Sequence, residues 1–286
     1  MNNKRIKNEA LRLQFLTGLM NIRIFGKMGR KKIIKTSYGD VKVLEYGFDS
    51  QKIEPLFIDL YGGGFVLGSA EMDEPMCVYF REKTGVKIVS IDYPKAPQKP
   101  YPAAVNAVYE IVMHYYNNAE MFKINPLNIG IGGHSAGGNI AAVICIMANE
   151  KKDIKIKYQV LDYPPCDLSI KPSDKPNIKG SVPPEIANLF NTCYFNNDVK
   201  LSESAYISPI YATKEMLTGL PAALFIVAGR DSLHDEGVRY KDLLIKAGVA
   251  VEFHDFSDSV HGFTYNKTPD AKEGWDIIAG FIKKLI

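Results

Sequence analysis

The run Asn128-Ile129-Gly130-Ile131-Gly132-Gly133-His134-Ser135-Ala136-Gly137-Gly138-Asn139 constrains this chain more than any other stretch. It reads as a buried apolar strand over 128–132 that ends in Gly-x-Ser-x-Gly. An apolar helix over 139–149 follows at once. Gly133 and Gly137 flank Ser135 at the spacing of a nucleophile elbow, a turn so tight that small residues are needed on both sides. The helix aims its amino end at the serine, where free N–H groups and the dipole favour an anion. Gly-x-Ser-x-Gly alone is a weak pattern, because most matches are ordinary turns. The strand before it and the helix after it give it weight here.

The rest of the chain alternates in the same way. Residues 1–30 read as partly amphipathic helix, with Leu11, Leu13, Phe15, Leu16, Leu19 and Met20 on an apolar side. A hairpin is predicted over 33–36 and 41–46 around Ser37-Tyr38-Gly39-Asp40. Strands follow at 56–61, 86–93, 128–132, 154–163, 223–228 and 249–256. Helices lie between and after them at 74–84, 103–117, 139–149, 235–247 and 269–286. Short apolar strands alternating with helices imply an α/β fold with a mostly parallel sheet covered on both faces. Pro164 to about Leu220 breaks the rhythm. It is rich in proline, Asn, Ser and Lys, carries Phe190, Tyr194, Phe195, Tyr206 and Tyr211, and has no strand-like run. It reads as an insertion over the carboxyl edge of the sheet, where open α/β folds bind ligands.

Composition narrows the function classes. A length of 286 residues with 46% hydrophobic content suits one large domain, or one domain plus an insertion. The net charge is +3 with both signs mixed, so no nucleic-acid stripe is expected. Gly29-Arg30-Lys31-Lys32 reads as a short solvated loop. No apolar run approaches membrane-spanning length. Cys77, Cys145, Cys166 and Cys193 lack metal-type spacing, and Cys145 reads as a small core residue. Residues 1–12 are polar and carry no apolar signal core, so a reduced, cytoplasmic setting is expected.

A serine hydroxyl needs a base, and the base needs an orienting acid. His114 lies within a helix, and His134 inside the elbow should point away from Ser135. His254 is within a strand, and His234 follows closely on another. His261 stands in a loop after the last strand, at the carboxyl edge, and is the favoured base, with His254 the weaker rival. Asp231 lies just past the end of the strand 223–228, on the same edge. Asp235 begins the next helix and reads as its N-cap. The order Ser135, Asp231, His261 is that of α/β-hydrolases. Oxyanion donors are expected from Ala136 and from the loop Asp59-Leu60-Tyr61-Gly62-Gly63-Gly64-Phe65, whose glycines let N–H groups face the site. No Lys-Ser/Thr follows that loop, which disfavours a phosphate role.

These pieces together resemble the hormone-sensitive-lipase-like branch of the α/β-hydrolases, which includes bacterial acetyl esterases and carboxylesterases. Tyr61-Gly62-Gly63-Gly64-Phe65 is similar to the family's His-Gly-Gly-Gly loop. Gly133-His134-Ser135-Ala136-Gly137-Gly138-Asn139 is similar to its serine motif. Asp92-Tyr93-Pro94-Lys95-Ala96-Pro97, the stretch Asp231 to Gly237, and His261-Gly262-Phe263 complete the set, in order. The resemblance implies Gly63, Gly64 and Ala136 as oxyanion donors. It also implies a cap built from the amino-terminal helices and the insertion. Tyr61 departs from the family's histidine, and His134 from its usual acidic residue.

The expected organisation is a catalytic domain over 31–164 and 221–286, with cap and insertion at 1–30 and 165–220. The expected reaction is hydrolysis of short- to medium-chain carboxylic esters through an acyl-enzyme on Ser135. An amidase, formamidase or peptidase on the same residues is the alternative, and a non-catalytic binder on the same fold is a third. No metal or organic cofactor is needed. The expected partner is a small-molecule ester, with neither nucleic acid nor a membrane span, and with room for a homodimer. Phe190, Tyr194 and Phe195 would shorten the acyl pocket if they faced the serine.

Overall fold

The structure is a computed structural model that describes residues 3–24, 28–266 and 268–286. It opens with helix α1 (Asn3–Ile24) and the strands β1 (Arg30–Thr36), β2 (Gly39–Tyr46) and β3 (Glu54–Leu60). Then come α2 (Glu74–Thr84), β4 (Lys87–Ile91), α3 (Ala103–Asn117), β5 (Ile124–His134), α4 (Ala136–Lys151) and β6 (Tyr158–Asp162). The segment before the next strand holds α5 (Pro184–Phe195), α6 (Val199–Ser202) and α7 (Lys214–Leu217). The chain finishes with β7 (Ala222–Arg230), α8 (His234–Lys246), β8 (Val251–Val260) and α9 (Pro269–Leu285).

The eight strands form one sheet in the order β1-β2-β4-β3-β5-β6-β7-β8. β2 pairs antiparallel with both neighbours, and every other pairing is parallel. β4 and β6 are buried along their whole length, as strands covered on both faces must be. α4 is apolar on nearly every side, and Ala136 to Ile146 are all buried. A helix of that composition is stable only inside the protein. The sheet steps from β4 over β3 to β5, so the carboxyl ends of β3 and β5 lie side by side, with Leu60 opposite Gly133. The glycine loop after β3 thereby sits next to the serine after β5.

α2 and α3 have the predicted bounds. Three local expectations are corrected. Arg30, Lys31 and Lys32 belong to β1 rather than to a loop, and the Arg30 guanidinium bonds Glu45 at 2.6 Å. The strand predicted from 154 begins only at Tyr158, which lies opposite Gly130 of β5 and Ala222 of β7. Asp235 does not cap α8. The helix starts at His234 with Leu233 in the cap position, and the Asp235 side chain is 82% exposed. The expected segment 1–30 is helical over α1, and residues 1, 2 and 25–27 lie outside the described residues. Among the described residues, no helix is long and apolar enough to cross a membrane.

Candidate active site

Ser135 sits between β5 and α4 with φ +50° and ψ −121°. An L-residue adopts that conformation only when its surroundings enforce it. Close packing enforces it here. A Cβ on Gly133 would lie 2.2 Å from the Leu60 carbonyl oxygen, and one on Gly137 1.9 Å from the same atom. The Ser135 N–H donates to the Asp162 carbonyl at 2.8 Å, which ties the elbow to the end of β6.

Asp231, His261 and Ser135 meet at the carboxyl edge although they lie far apart in sequence. His261 Nε2 is 2.9 Å from Ser135 Oγ, and His261 Nδ1 is 2.6 Å from Asp231 Oδ2. The second Asp231 oxygen accepts from the Leu233 N–H at 3.2 Å. Asp231 is buried, which holds it in one orientation. A register shift between β7 and β8 at Ala228/Arg230 immediately precedes it. Such irregularities re-aim the residues that follow. The edge of the Tyr163 ring packs on the imidazole of His261, with centroids 5.1 Å apart.

The other histidines are placed elsewhere. His254 Nε2 is 3.2 Å from Glu252, and His234 lies between Asp235 and Asp255 at 3.0 Å each. His114 of α3 packs against Tyr115 and Phe122. His134 does turn away from Ser135, as expected, but into a buried polar cluster rather than into plain core. Its Nε2 is 2.8 Å from Asp73 and its Nδ1 3.3 Å from Asp162. Those two carboxylates hold the imidazole in its charged form and push its pKa well above the ordinary value, against the cost of burial.

The cluster extends to the loops around the serine. Thr264 Oγ1 donates to Asp162 at 3.0 Å, and the Tyr163 and Thr264 hydroxyls bond each other. Tyr265 donates its hydroxyl to Asp73 at 2.6 Å and accepts the Gly62 N–H at 3.3 Å. Tyr265 therefore fixes the start of the glycine loop. Sequence reasoning did not single out Asp73, Asp162, Thr264 or Tyr265. The available hint was His134 itself, a titratable residue at a motif position that is otherwise acidic.

Gly63, Gly64 and Ala136 border the serine, and their N–H groups have no acceptor among the described residues. Tyr61 carries the glycine loop in a different way. Its ring stacks on Tyr93 at 4.4 Å, and its hydroxyl bonds Asp92 at 3.1 Å and Lys95 at 3.2 Å. Of the three aromatics that would shorten the acyl pocket if they faced the serine, Phe190 lines the cavities beside it. Tyr194 instead stacks on Phe65 at 3.9 Å, and Phe195 packs against Tyr194 away from the serine. α5 presents one of these faces to the cleft and buries the other.

Asp59, Asp73 and His134 bring one ligand atom each within 4.8 Å of one another. Asp59 accepts from Ser90 at 2.6 Å, while Asp73 and His134 bond each other and their neighbours.

A family model for the alpha/beta hydrolase fold matches residues 57–265. Esterase LipI of Mycobacterium tuberculosis is 34% identical over 212 residues, 73% of this chain and 65% of that protein. Carboxylic ester hydrolase LipN of the same organism is 31% identical over 233 residues, 79% of this chain and 61% of that protein. The chain thus spans a little under two thirds of the length of these two relatives. A solved esterase from Pyrobaculum calidifontis superposes with a TM-score of 0.82 at 29% identity, covering 99% of this chain and 94% of that one. The chain belongs to the α/β-hydrolase family, in the hormone-sensitive-lipase-like branch that its motifs resemble.

Proposed function

We propose that this protein is a serine carboxylesterase, with Ser135 as nucleophile, His261 as base and Asp231 as orienting acid. The continuous chain of hydrogen bonds from Asp231 through His261 to Ser135 Oγ, at 2.6 and 2.9 Å, carries this reading. The similar proteins named as esterases support ester over amide chemistry.

The reaction follows from the positions. Ser135 Oγ attacks the ester carbonyl carbon while His261 Nε2 takes its proton. The carbonyl π pair moves to oxygen, and the N–H groups of Gly63, Gly64 and Ala136 receive the oxyanion. Each such donor contributes on the order of 10² to 10³ in rate. Asp231 holds the ring with Nε2 toward the serine and stabilises the imidazolium. The carbon–oxygen bond to the alcohol then breaks, and the alkoxide takes the proton from His261. Water repeats the sequence on the acyl-enzyme and releases the acid. No step needs a metal or an organic cofactor.

Residues 31–164 and 221–286 form the catalytic part of this proposal, and 165–220 with α1 form the cap. Phe190 of α5 beside Ser135 and Thr17 of α1 in the same cavity support that division. A reducing, cytoplasmic compartment agrees with four buried, unpaired cysteines. A homodimer remains part of this proposal, and sedimentation tests it. Matched p-nitrophenyl acetate and p-nitroacetanilide test the reaction. The ester should turn over far faster, and Ser135→Ala should remove the activity while leaving the circular dichroism unchanged. Faster amide than ester turnover would overturn the reading.

A further inference from the structure

Asn191 stands on α5 with a buried amide that has no hydrogen-bond partner. The residue is 7% exposed, and its backbone carbonyl accepts the Asn196 N–H that closes the helix. Among the described residues, nothing accepts from its Nδ2 or donates to its Oδ1. Asparagines that serve the fold nearby behave otherwise. Asn139 Nδ2 donates to the carbonyls of Pro165 and Ile207, both at 2.8 Å. Asn197 Nδ2 donates to Thr192 Oγ1 at 2.7 Å.

Helix geometry decides what the amide faces. Pro184, Ala187 and Asn191 are spaced by three and four positions and so share one face of α5. All three line a cavity that also includes Ser135, with Phe190 and Leu233 beside them. Asn191, Leu168, Pro172 and Pro184 line a second cavity too, whose walls all come from the 165–220 segment. Asn191 therefore belongs to the partition between the serine's cavity and an outer groove of the cap. Ser169, Ser173 and Asn188 add polar groups on the outer side. Lys175 lines the serine's cavity as well, with its side chain 9% exposed. Its ammonium donates to the Asp167 carbonyl and to Glu236, and its third hydrogen has no acceptor among the described residues.

We propose that Asn191 is a specificity-determining residue whose Nδ2 donates to an oxygen on the substrate chain. The substrate class is then an ester that carries a carbonyl or ether oxygen beyond the scissile group. This deepens the esterase reading above and rests on it. A buried amide is costly unless something pairs with it. Water serves that purpose only until a substrate fills the cavity. An apolar chain displaces the water and leaves the amide unpaired, whereas a chain with an acceptor oxygen restores the bond. Sites that hydrogen-bond a substrate oxygen therefore reject isosteres that lack it. Either the acid or the alcohol part of the ester can carry the oxygen, and two substrate series separate these sources.

Each series compares isosteric esters with the whole protein. The acid series sets p-nitrophenyl 4-oxopentanoate against 4-methylpentanoate, and 5-oxohexanoate against 5-methylhexanoate. The alcohol series sets 2-methoxyethyl acetate against butyl acetate. Each ratio of kcat/KM is corrected by the rates of alkaline hydrolysis of the same two esters. The wild type should favour the oxygenated member at least about fivefold in one series. Asn191→Leu should bring that ratio to within about twofold of unity. Asn191→Asp keeps the size but replaces the donor by an acceptor, so it should bring the ratio to unity or below. The second variant keeps the test alive if Asn191→Leu does not fold. A merely structural defect would lower both members of a pair alike and leave their ratio standing. Wild-type ratios near unity in both series, or a preference that survives both substitutions, would overturn the assignment. Failure of every ester in both series would instead remove the esterase reading on which it rests.

Discussion

His134 Nε2 lies 2.8 Å from an Asp73 carboxylate oxygen, and Nδ1 of the same ring meets Asp162 at 3.3 Å. One cation therefore stands between two buried anions directly beneath the serine. Its neighbours carry the first turn of α2, the end of β6 and the loop after His261. Replacing His134 by Leu leaves both carboxylates without their counter-charge. That should cost about 3–5 kcal/mol of stability, read from urea denaturation. His134→Asp, which restores the family's usual acidic type, should cost at least as much, because it adds a third carboxylate. A loss under 1 kcal/mol in either variant would show that the cluster does not depend on the cation.

Two aspartates near the start of α8 separate catalysis from helix stability. Asp231→Asn should lower kcat/KM by on the order of 10³ to 10⁴, because His261 loses its orienting anion. Asp235→Asn should leave activity near wild type and shift stability by under about 1 kcal/mol, since its side chain is 82% exposed and caps nothing. Steady-state kinetics on one short ester decides between them. Equal losses in both variants would contradict the assigned roles.

Tyr61 is buried and Tyr265 half-buried at the glycine loop, but only Tyr265 bonds its backbone through the hydroxyl. Tyr265→Phe releases the Gly62 N–H and removes a donor to Asp73. It should lower kcat about tenfold through misplaced oxyanion donors, with a smaller change in KM. Tyr61→Phe loses a bond to Asp92, which keeps Lys42 at 3.0 Å and Lys95 at 2.7 Å. That change should cost about 1 kcal/mol of stability and less than twofold in kcat. The reverse ranking in kcat would place the loop anchor on Tyr61.

Asp59 is fully buried beside Asp73, and burial raises its pKa to about 8. The unfolded chain releases that proton near pH 4. Between about pH 4 and 8 the folded state therefore holds one more proton than the unfolded state through this group. Stability from it is complete below pH 4 and declines as pH rises, by about 1.4 kcal/mol per pH unit. The raised pKa of His134 acts in the same direction above about pH 6.5. Asp59→Asn should flatten the fall of stability between pH 5 and 7.5 by about that slope, measured by urea titration across the range. An unchanged slope would mean that Asp59 titrates near its ordinary value.

The parts of the site that lie next to each other in sequence are the parts that local pattern reveals. The elbow reads from Gly133, Ser135 and Gly137, and its strand and helix follow from the apolar residues on either side. His261 and Asp231 read from their places just beyond strands, because a parallel sheet brings all such ends to one edge. What stays hidden depends on distant contacts. The Gly62 N–H finds its acceptor on Tyr265, 203 positions away, and His134 finds Asp73 61 positions away. No periodicity encodes either pair. The reading of Asp235 as a cap failed for a related reason. Asp231 takes the Leu233 N–H at the mouth of α8 at 3.2 Å and at the same time orients His261. The orientation of α5, which aims Phe190 at Ser135 and buries Tyr194 against Phe65, is likewise set by packing across the cleft.

The central claim is that Ser135 is a nucleophile activated by His261, and covalent labelling tests it most directly. Treatment with a fluorophosphonate should add one phosphonyl group per chain, and peptide mass mapping should place it on Ser135. Ser135→Ala should abolish the adduct, and His261→Ala should slow its formation by at least 10², since the serine then lacks its general base. An adduct on another residue, or no adduct on a folded protein, would contradict the account.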